Sequence, residues 1–443
     1  MSDRRRFSRV RWLGAFVLAV GGLTLSVSSQ RGADRHTDSM AKISREYVRL
    51  VLAMGQHDKD YVDAYYGPDD IKREAESAKL SLDAIAKSVA SLAESLKGVP
   101  AGGNDELSML RHQYLEKQLA AMSARVRMLK GEKLSFDEES KALYDAVAPT
   151  YSDGHFQAVL DRLDTRFPGT GPLVARYDAW RRAFVIPREK LDTVFQAAIS
   201  ACRDRTLKHV KLPAEHFTVE YVTNKSWSGY NWYQGNFRSL IQVNTDLPVY
   251  IDRAVDLACH EGYPGHHVYN ALLEQHLVKQ RGWTEFTVYP LFSPQSLIAE
   301  GTANYGIEVA FPGQERIAYE QKTLFPLAGL DPSRAPEYYD VQALVEQLSY
   351  AGNEAARRYL NGQFDAEAAT TWLERYALMP RERAAQRVRF FDQYRSYVIN
   401  YNYGKDLVRT FIESRGGTAD KPERRWQEFE KLLSSPRLPS GLR

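Results

Sequence analysis

Cysteine is nearly absent. Cys202 and Cys259 are the only two in 443 residues, which excludes a disulfide-built scaffold and any zinc site made of thiolates. Charge of one sign is lacking too: 59 Lys and Arg stand against 56 Asp and Glu, a formal +3, so the chain offers no broad basic face to a nucleic acid. Long apolar runs are missing except from Trp12 to Leu25, which is short for a stable membrane span. Neither internal repeats nor low-complexity tracts occur, and no segment reads as a linker. What remains, 44% hydrophobic and 26% charged residues, is the balance of a folded globular protein long enough to bury a sizeable core.

The start of the chain is set apart. Arg4, Arg5, Arg6, Arg9 and Arg11 precede the apolar run, and Ser26, Ser28 and Ser29 follow it. A basic segment, a short apolar stretch and small residues at its exit predict an export signal over 1–29, with an uncleaved N-terminal anchor as the alternative. Arg4-Arg5-Arg6-Phe7 also fits a twin-arginine pattern. No Cys follows the apolar stretch, which argues against lipidation. Removing the five arginines and Asp3, a net +4, turns the formal charge from +3 to −1, so the basicity belongs to the signal. The expected product is exported, periplasmic or secreted, and does not otherwise engage a membrane.

Residues 30–443 are expected to form a single, mainly helical domain. From about Asp38 to Ser200 the apolar residues recur at helical spacing: Ile43, Tyr47, Val51 and Met54 on one face, then Leu107, Leu110, Leu115, Leu119, Met122, Val126 and Leu129 on another. Ser135 and Glu138 have the spacing of a capping box. Between Thr218 and Asn244 the character changes to crowded aromatics and glycines followed by the alternating run Ser239 to Asn244, which predicts a small antiparallel sheet and the only β region of the chain. Helical periodicity resumes at Val255.

Three of the ten histidines, His260, His266 and His267, fall within eight residues, in Cys259-His260-Glu261-Gly262-Tyr263-Pro264-Gly265-His266-His267. A zinc hydrolase needs two imidazoles, a carboxylate, an open position for water and a second carboxylate to take that water's proton. His260-Glu261 offers one ligand and one base, but no second His stands one turn later. On a regular helix His267 would lie about 10.5 Å further along the axis and His266 about 120° around it, whereas ligands of one tetrahedral zinc sit about 3.3 Å apart. Pro264, which cannot donate to the carbonyl of His260, and Gly265 allow the helix to loop out and bring His266 back, with His267 as the alternative. The third ligand is sought on the next helix, at Glu300, which is followed by small residues that permit close approach, or at Glu308.

His260-Glu261-x-x-Pro264-Gly265-His266-His267, with Glu300-Gly301-x-Ala303-x-Tyr305 downstream, resembles the bacterial domain-of-unknown-function 885 family, grouped with zinc metallopeptidases of the glutamate-zincin type. Tyr61 to Pro68 and Tyr401-Asn402-Tyr403-Gly404 match the same pattern, so the resemblance spans most of the chain after the signal. It implies a mainly α, zincin-like fold in which His260, His266 and Glu300 bind zinc, Glu261 is the general base and the substrate is a peptide or peptide-like molecule. The chain departs from the family at Thr302, Asn304 and Val268-Tyr269, which bears on pocket shape and specificity. A metal-dependent amidase or esterase, or a binding protein without chemistry, are the other readings that such a fold allows.

For the oxyanion, Tyr401, Tyr403 and Arg395 are candidates, Tyr401 first because its Tyr-x-x-Gly setting matches the family. Ser239 to Asn244 is a candidate edge strand for an extended peptide. Trp227, Tyr230 and Trp232 are candidate pocket walls, Asp63, Tyr65 and Tyr66 candidate cleft residues, and Lys405 and Arg409 are read as a solvated helix face. Cys259 is read as a packing residue, with a bond to Cys202 compatible with an oxidising compartment.

Overall fold

The computed structural model describes residues 22–101, 105–225 and 227–443, with side chains from residue 38 onward. Most of the predicted export segment, residues 1–21, lies outside the described residues. Among those described, no helix is long and apolar enough to cross a membrane.

The architecture is mainly helical, with two small sheets. The first apolar row is buried on helix Gly22–Met54 through Ile43, Tyr47, Val51 and Met54. The second is buried on helix Glu106–Leu129 at Leu115, Leu119, Met122 and Val126, while Leu107, Leu110 and Leu129 are half-exposed at its ends. Ser135 and Glu138 close a reciprocal capping box on helix Phe136–Tyr144, satisfying two backbone donors that a helix start leaves open. One buried apolar cluster joins Met40 near the start to Leu442 at the end.

The predicted sheet exists but is mixed rather than antiparallel. Strands β2 (His216–Val222), β3 (Gly229–Gly235) and β4 (Arg238–Asn244) lie in the order β2-β4-β3. The turn at Asn236 and Phe237 folds β4 back along β3, and β2, which precedes both, takes the other side of β4 and runs parallel to it. Ser239 to Asn244 is therefore the central strand, with both edges paired, and cannot be the edge that receives a peptide. A second sheet was not foreseen: β1 (Val62–Tyr65) pairs antiparallel with β5 (Val288–Pro290). Strands of four and three residues are too short to reveal an alternation in sequence.

Helices Pro294–Ala310 and Ile399–Ser414 cross with their backbones close together. A Cβ at Gly301 would lie 2.5 Å from the carbonyl oxygen of Gly404, and one at Gly404 would lie 2.9 Å from that of Leu297. Two glycines thus let backbone meet backbone, which carries the start of the second helix to Glu300 on the first. Asn304 ties the same crossing, donating to the carbonyls of Glu300 at 3.0 Å and Tyr401 at 3.3 Å, while the Thr302 hydroxyl bonds back to Ile298 on its own helix. Asn304 thus serves the helix crossing, whereas Thr302 only satisfies its own hydroxyl.

Candidate metal centre

Helix Asp252–Leu257 widens into a π turn, Ala258–Gly262, leaves helical form at Tyr263 and resumes as His266–Leu273. The loop-out is held by hydrogen bonds of ordinary length that span five and six residues instead of four: Tyr263 N–H to the Ala258 carbonyl at 3.1 Å and Gly265 N–H to that of Cys259 at 2.9 Å. Only glycine fits at 265, because a Cβ there would lie 1.9 Å from the carbonyl oxygen of His260. Cys259 is disulfide-bonded to Cys202 of helix Leu191–Leu207, with 5.7 Å between their Cα atoms. The packing role expected for Cys259 is thus replaced by a covalent tether immediately before the first histidine.

The bulge brings His260 and His266 together and turns His267 away. The Nε2 atoms of His260 and His266 are 3.1 Å apart, and Glu300 Oε2 lies 3.3 Å from the first and 3.7 Å from the second. These three separations bracket the roughly 3.3 Å expected between ligands of one tetrahedral zinc. His267, fully buried, instead lies 2.8 Å from Ser239 Oγ through Nδ1 and 3.0 Å from Glu215 Oε2 through Nε2. Glu308 is engaged elsewhere, 2.6 Å from Arg409 and 3.2 Å from Lys405. Those two cations are therefore paired with an acid rather than forming a merely solvated face.

The donor set fits a divalent cation. Glu300 is 7% exposed; its Oε1 accepts the Tyr397 hydroxyl at 2.8 Å, whereas its buried Oε2, the oxygen facing both histidines, has no hydrogen-bond partner. An orphaned anionic oxygen beside two imidazole nitrogens calls for positive charge. The three groups are also strongly coupled electrostatically. Burial alone would raise the Glu300 carboxyl, but the two facing imidazoles hold it far below the usual carboxylate range. Burial would lower His266, yet Glu300 overrides it and lifts it to about 9. Zinc, which takes two histidines and a carboxylate readily, is compatible with this set.

Glu261 lies within electrostatic reach of the same three groups. It is 4% exposed, and burial raises its carboxyl above the ordinary value against the pull of His260 and His266. Its backbone carbonyl accepts from Asn231 Nδ2 at 2.7 Å, and a Cβ at Gly229 of β3 would stand 2.8 Å from its Oε1. The strand beside Glu261 is therefore β3, while β4 meets the motif at His267 through Ser239.

Among the tyrosines, Tyr401 packs edge-on against Tyr397 at 5.7 Å between ring centroids. Burial, reinforced by Glu300 and Glu261, pushes its hydroxyl well above the ordinary phenol range. Arg395 is not available to an oxyanion: its guanidinium donates to Glu139 at 2.6 Å. Tyr403 has no bond to the triad. Tyr65 bonds to the Pro68 carbonyl and Tyr66 to that of Phe286, so both hold local structure. Trp227 lines a cavity, as expected, and stacks on Tyr230, whose hydroxyl donates to Asp63 at 2.7 Å, while Trp232 is 52% exposed on the same strand as Tyr230. Burial, partly offset by that bond, raises Asp63 to about 6.

Sequence reasoning missed Tyr397 as the partner of Glu300. Its signal was available, because Tyr397 stands four residues before Tyr401 and so one helical turn away on the same face.

No protein-family model and no curated protein matches the chain, so the family resemblance stays a reading of its motifs. Solved structures of similar shape include a protein described as a lipoprotein from Colwellia psychrerythraea, at 15% identity and a TM-score of 0.48, covering 84% of this chain and 71% of the other. Metallocarboxypeptidase 1 of Trypanosoma cruzi follows at 11% and 0.43, covering 91% of each chain. The M32 carboxypeptidase of Deinococcus radiodurans R1 stands at 12% and 0.35, covering 90% of each. These are distant likenesses of shape.

Proposed function

We propose that the chain is an exported, zinc-dependent peptidase. The observation that carries this reading is the orphaned Glu300 Oε2 at 3.3 and 3.7 Å from two imidazole nitrogens, with a second buried carboxylate, Glu261, within electrostatic reach of all three. His260, His266 and Glu300 would hold the ion. Bound there, zinc supplies Lewis acidity and makes a water nucleophilic at neutral pH.

The remaining chemistry belongs to the chain. Glu261, whose raised pKa brings it nearer to neutrality, takes the proton of the attacking water and returns it to the leaving nitrogen. Tyr401, kept protonated by burial, donates to the oxyanion that develops on the scissile carbonyl. Tyr397 fixes the orientation of Glu300 through Oε1. Strand β3 pairs with β4 along one edge and presents Gly229 and the Asn231 side chain from its face to Glu261, which helps to hold the base in place. The arginine-led segment before the fold supports export.

Glu261→Gln tests this reading. Its peptide turnover should fall by about 10²–10⁴-fold while roughly one zinc per chain remains, measured by elemental analysis beside a peptide-library assay. Undiminished turnover would remove Glu261 from the mechanism.

A further inference from the structure

Leu257 and Arg253 stand one and two turns before Glu261 on the same helix face. They border a cavity of about 160 Å³ walled by Trp227 and Phe390 and by the guanidiniums of Arg181, Arg383 and Arg387. One water needs about 10–15 Å³ of such space, so the cavity has room for a side chain or a chain end. It adjoins the candidate metal centre on two sides. The Arg387 guanidinium lies 5.8 Å from the ring of Tyr401, and a Cβ at Gly229, next to the lining residue Ser228, would sit 2.8 Å from both Leu257 Cδ2 and Glu261 Oε1.

The charges in this cavity do not balance. Arg181 faces Asp252 at 3.4 Å and Arg253 faces Asp256 at 3.2 Å. Arg383 and Arg387 have no carboxylate within ion-pair distance among the described residues; Arg387 rests instead over the ring of Phe390 at 4.5 Å. Arg181 adds a buried Nε without a hydrogen-bond partner. Burial lowers the guanidinium pKa of both Arg383 and Arg387, and Arg181 and Arg253 repel the former further. Four half-buried guanidiniums that share only the carboxylates of Asp252 and Asp256 carry a standing electrostatic cost, which an incoming anion would relieve. The planar fork of arginine suits a carboxylate, and the apolar walls suit the methylenes that carry one.

We propose that this cavity is a substrate subsite for a carboxylate, so that the enzyme prefers peptides presenting an Asp or Glu side chain, or a free C-terminus, beside the scissile bond. The inference rests on the peptidase reading and specifies its substrate class.

The test uses the zinc-loaded full-length chain and one peptide scaffold in three forms: Glu-containing with a free C-terminus, its Gln counterpart, and its C-terminal amide. The wild type should cleave carboxylate-bearing forms with a kcat/KM about 10–100-fold above that for the matching neutral form. The ratio should collapse toward one in Arg383→Gln and Arg387→Gln, with metal content and Tm reporting that each variant folds. A preference lost with Gln assigns the site to a side chain; one lost on amidation assigns it to the C-terminus. Cleavage with no preference, or with a preference that both variants retain, overturns the subsite and leaves the peptidase reading intact. Calorimetric binding of the same peptides to Glu261→Gln separates the two ideas. Arginine-dependent binding of the acidic forms without cleavage by the wild type would uphold the subsite and sink the peptidase, and the absence of both would sink the two together.

Discussion

His266 and His267 are neighbours in sequence at the start of one helix, yet they enter two regions of opposite character. His267 joins a closed set: Ser239 at one nitrogen, Glu215 at the other, and Tyr263 donating to the same carboxylate at 2.6 Å. Burial would raise Glu215, but the bonds from His267 and Tyr263 outweigh it and hold its carboxyl below the ordinary value. His266 joins an unfinished set, in which two imidazoles and a carboxylate converge and one buried oxygen is left without a partner. Withdrawal of polar groups from water therefore means different things in the two regions. A closed network stabilises the fold, whereas a converging, incomplete one signals a missing cation.

The largest effect expected from this contrast separates the two histidines. His266→Ala should lose metal affinity by about 10²–10³-fold, the share of one ligand in a site worth roughly 10–16 kcal/mol, with little loss of stability in metal-free protein. His267→Ala should keep the metal but cost about 2–4 kcal/mol in denaturant unfolding, because it strands Glu215 and Ser239. Metal content and chemical denaturation of both variants check the pair. Metal lost in His267→Ala and kept in His266→Ala would reverse the comparison.

How much of this was legible in sequence differs between the two regions. The candidate metal triad could be reached because its three residues lie in two short windows, 260–266 and 300, and because Pro264 and Gly265 announce where the helix must open. Glu215 could not be reached: it lies 52 residues before His267, on a loop whose position depends on the parallel pairing of β2. The helical rows read well because burial repeats every turn. The sheet order did not, since β2-β4-β3 is set by tertiary packing of the strand edges rather than by alternation within them. The arginines of the cavity come from helices far apart in the chain, so their convergence has no local signature.

A second carboxylate sharpens what an unpartnered oxygen signifies. Glu320 is fully buried and its Oε2 also lacks a hydrogen-bond partner, but its Oε1 accepts Arg316 at 2.9 Å and no histidine faces it. Burial dominates there, against Arg316, and pushes its carboxyl from 4.5 up to about 7. The folded state thus holds this proton more tightly than the unfolded chain. Its contribution to stability is complete below about pH 4.5 and is lost as pH rises through 7, by up to roughly 3 kcal/mol. Glu320→Gln should flatten the stability profile between pH 4.5 and 8 and leave metal content unchanged, with Arg316 still held by Asp256 at 2.8 Å. Urea unfolding across that range measures it, and an unaltered slope would mean that Glu320 is ionised throughout.

The smallest effect isolates a single bond type on the two sides of the bulge. Tyr397 donates to Glu300 at 2.8 Å and Tyr263 donates to Glu215 at 2.6 Å, so each buried acid has one phenol. On the unfinished side the phenol orients a ligand, and Tyr397→Phe should weaken metal binding by about 10–100-fold in competition with a chelator. On the closed side the phenol only completes a network, and Tyr263→Phe should cost about 1–2 kcal/mol of stability without moving metal affinity. If both substitutions acted on metal affinity alike, the Cys202–Cys259 tether and the turn it precedes would couple the two regions into one unit. The division between a structural and a ligand-binding histidine would then be a matter of degree.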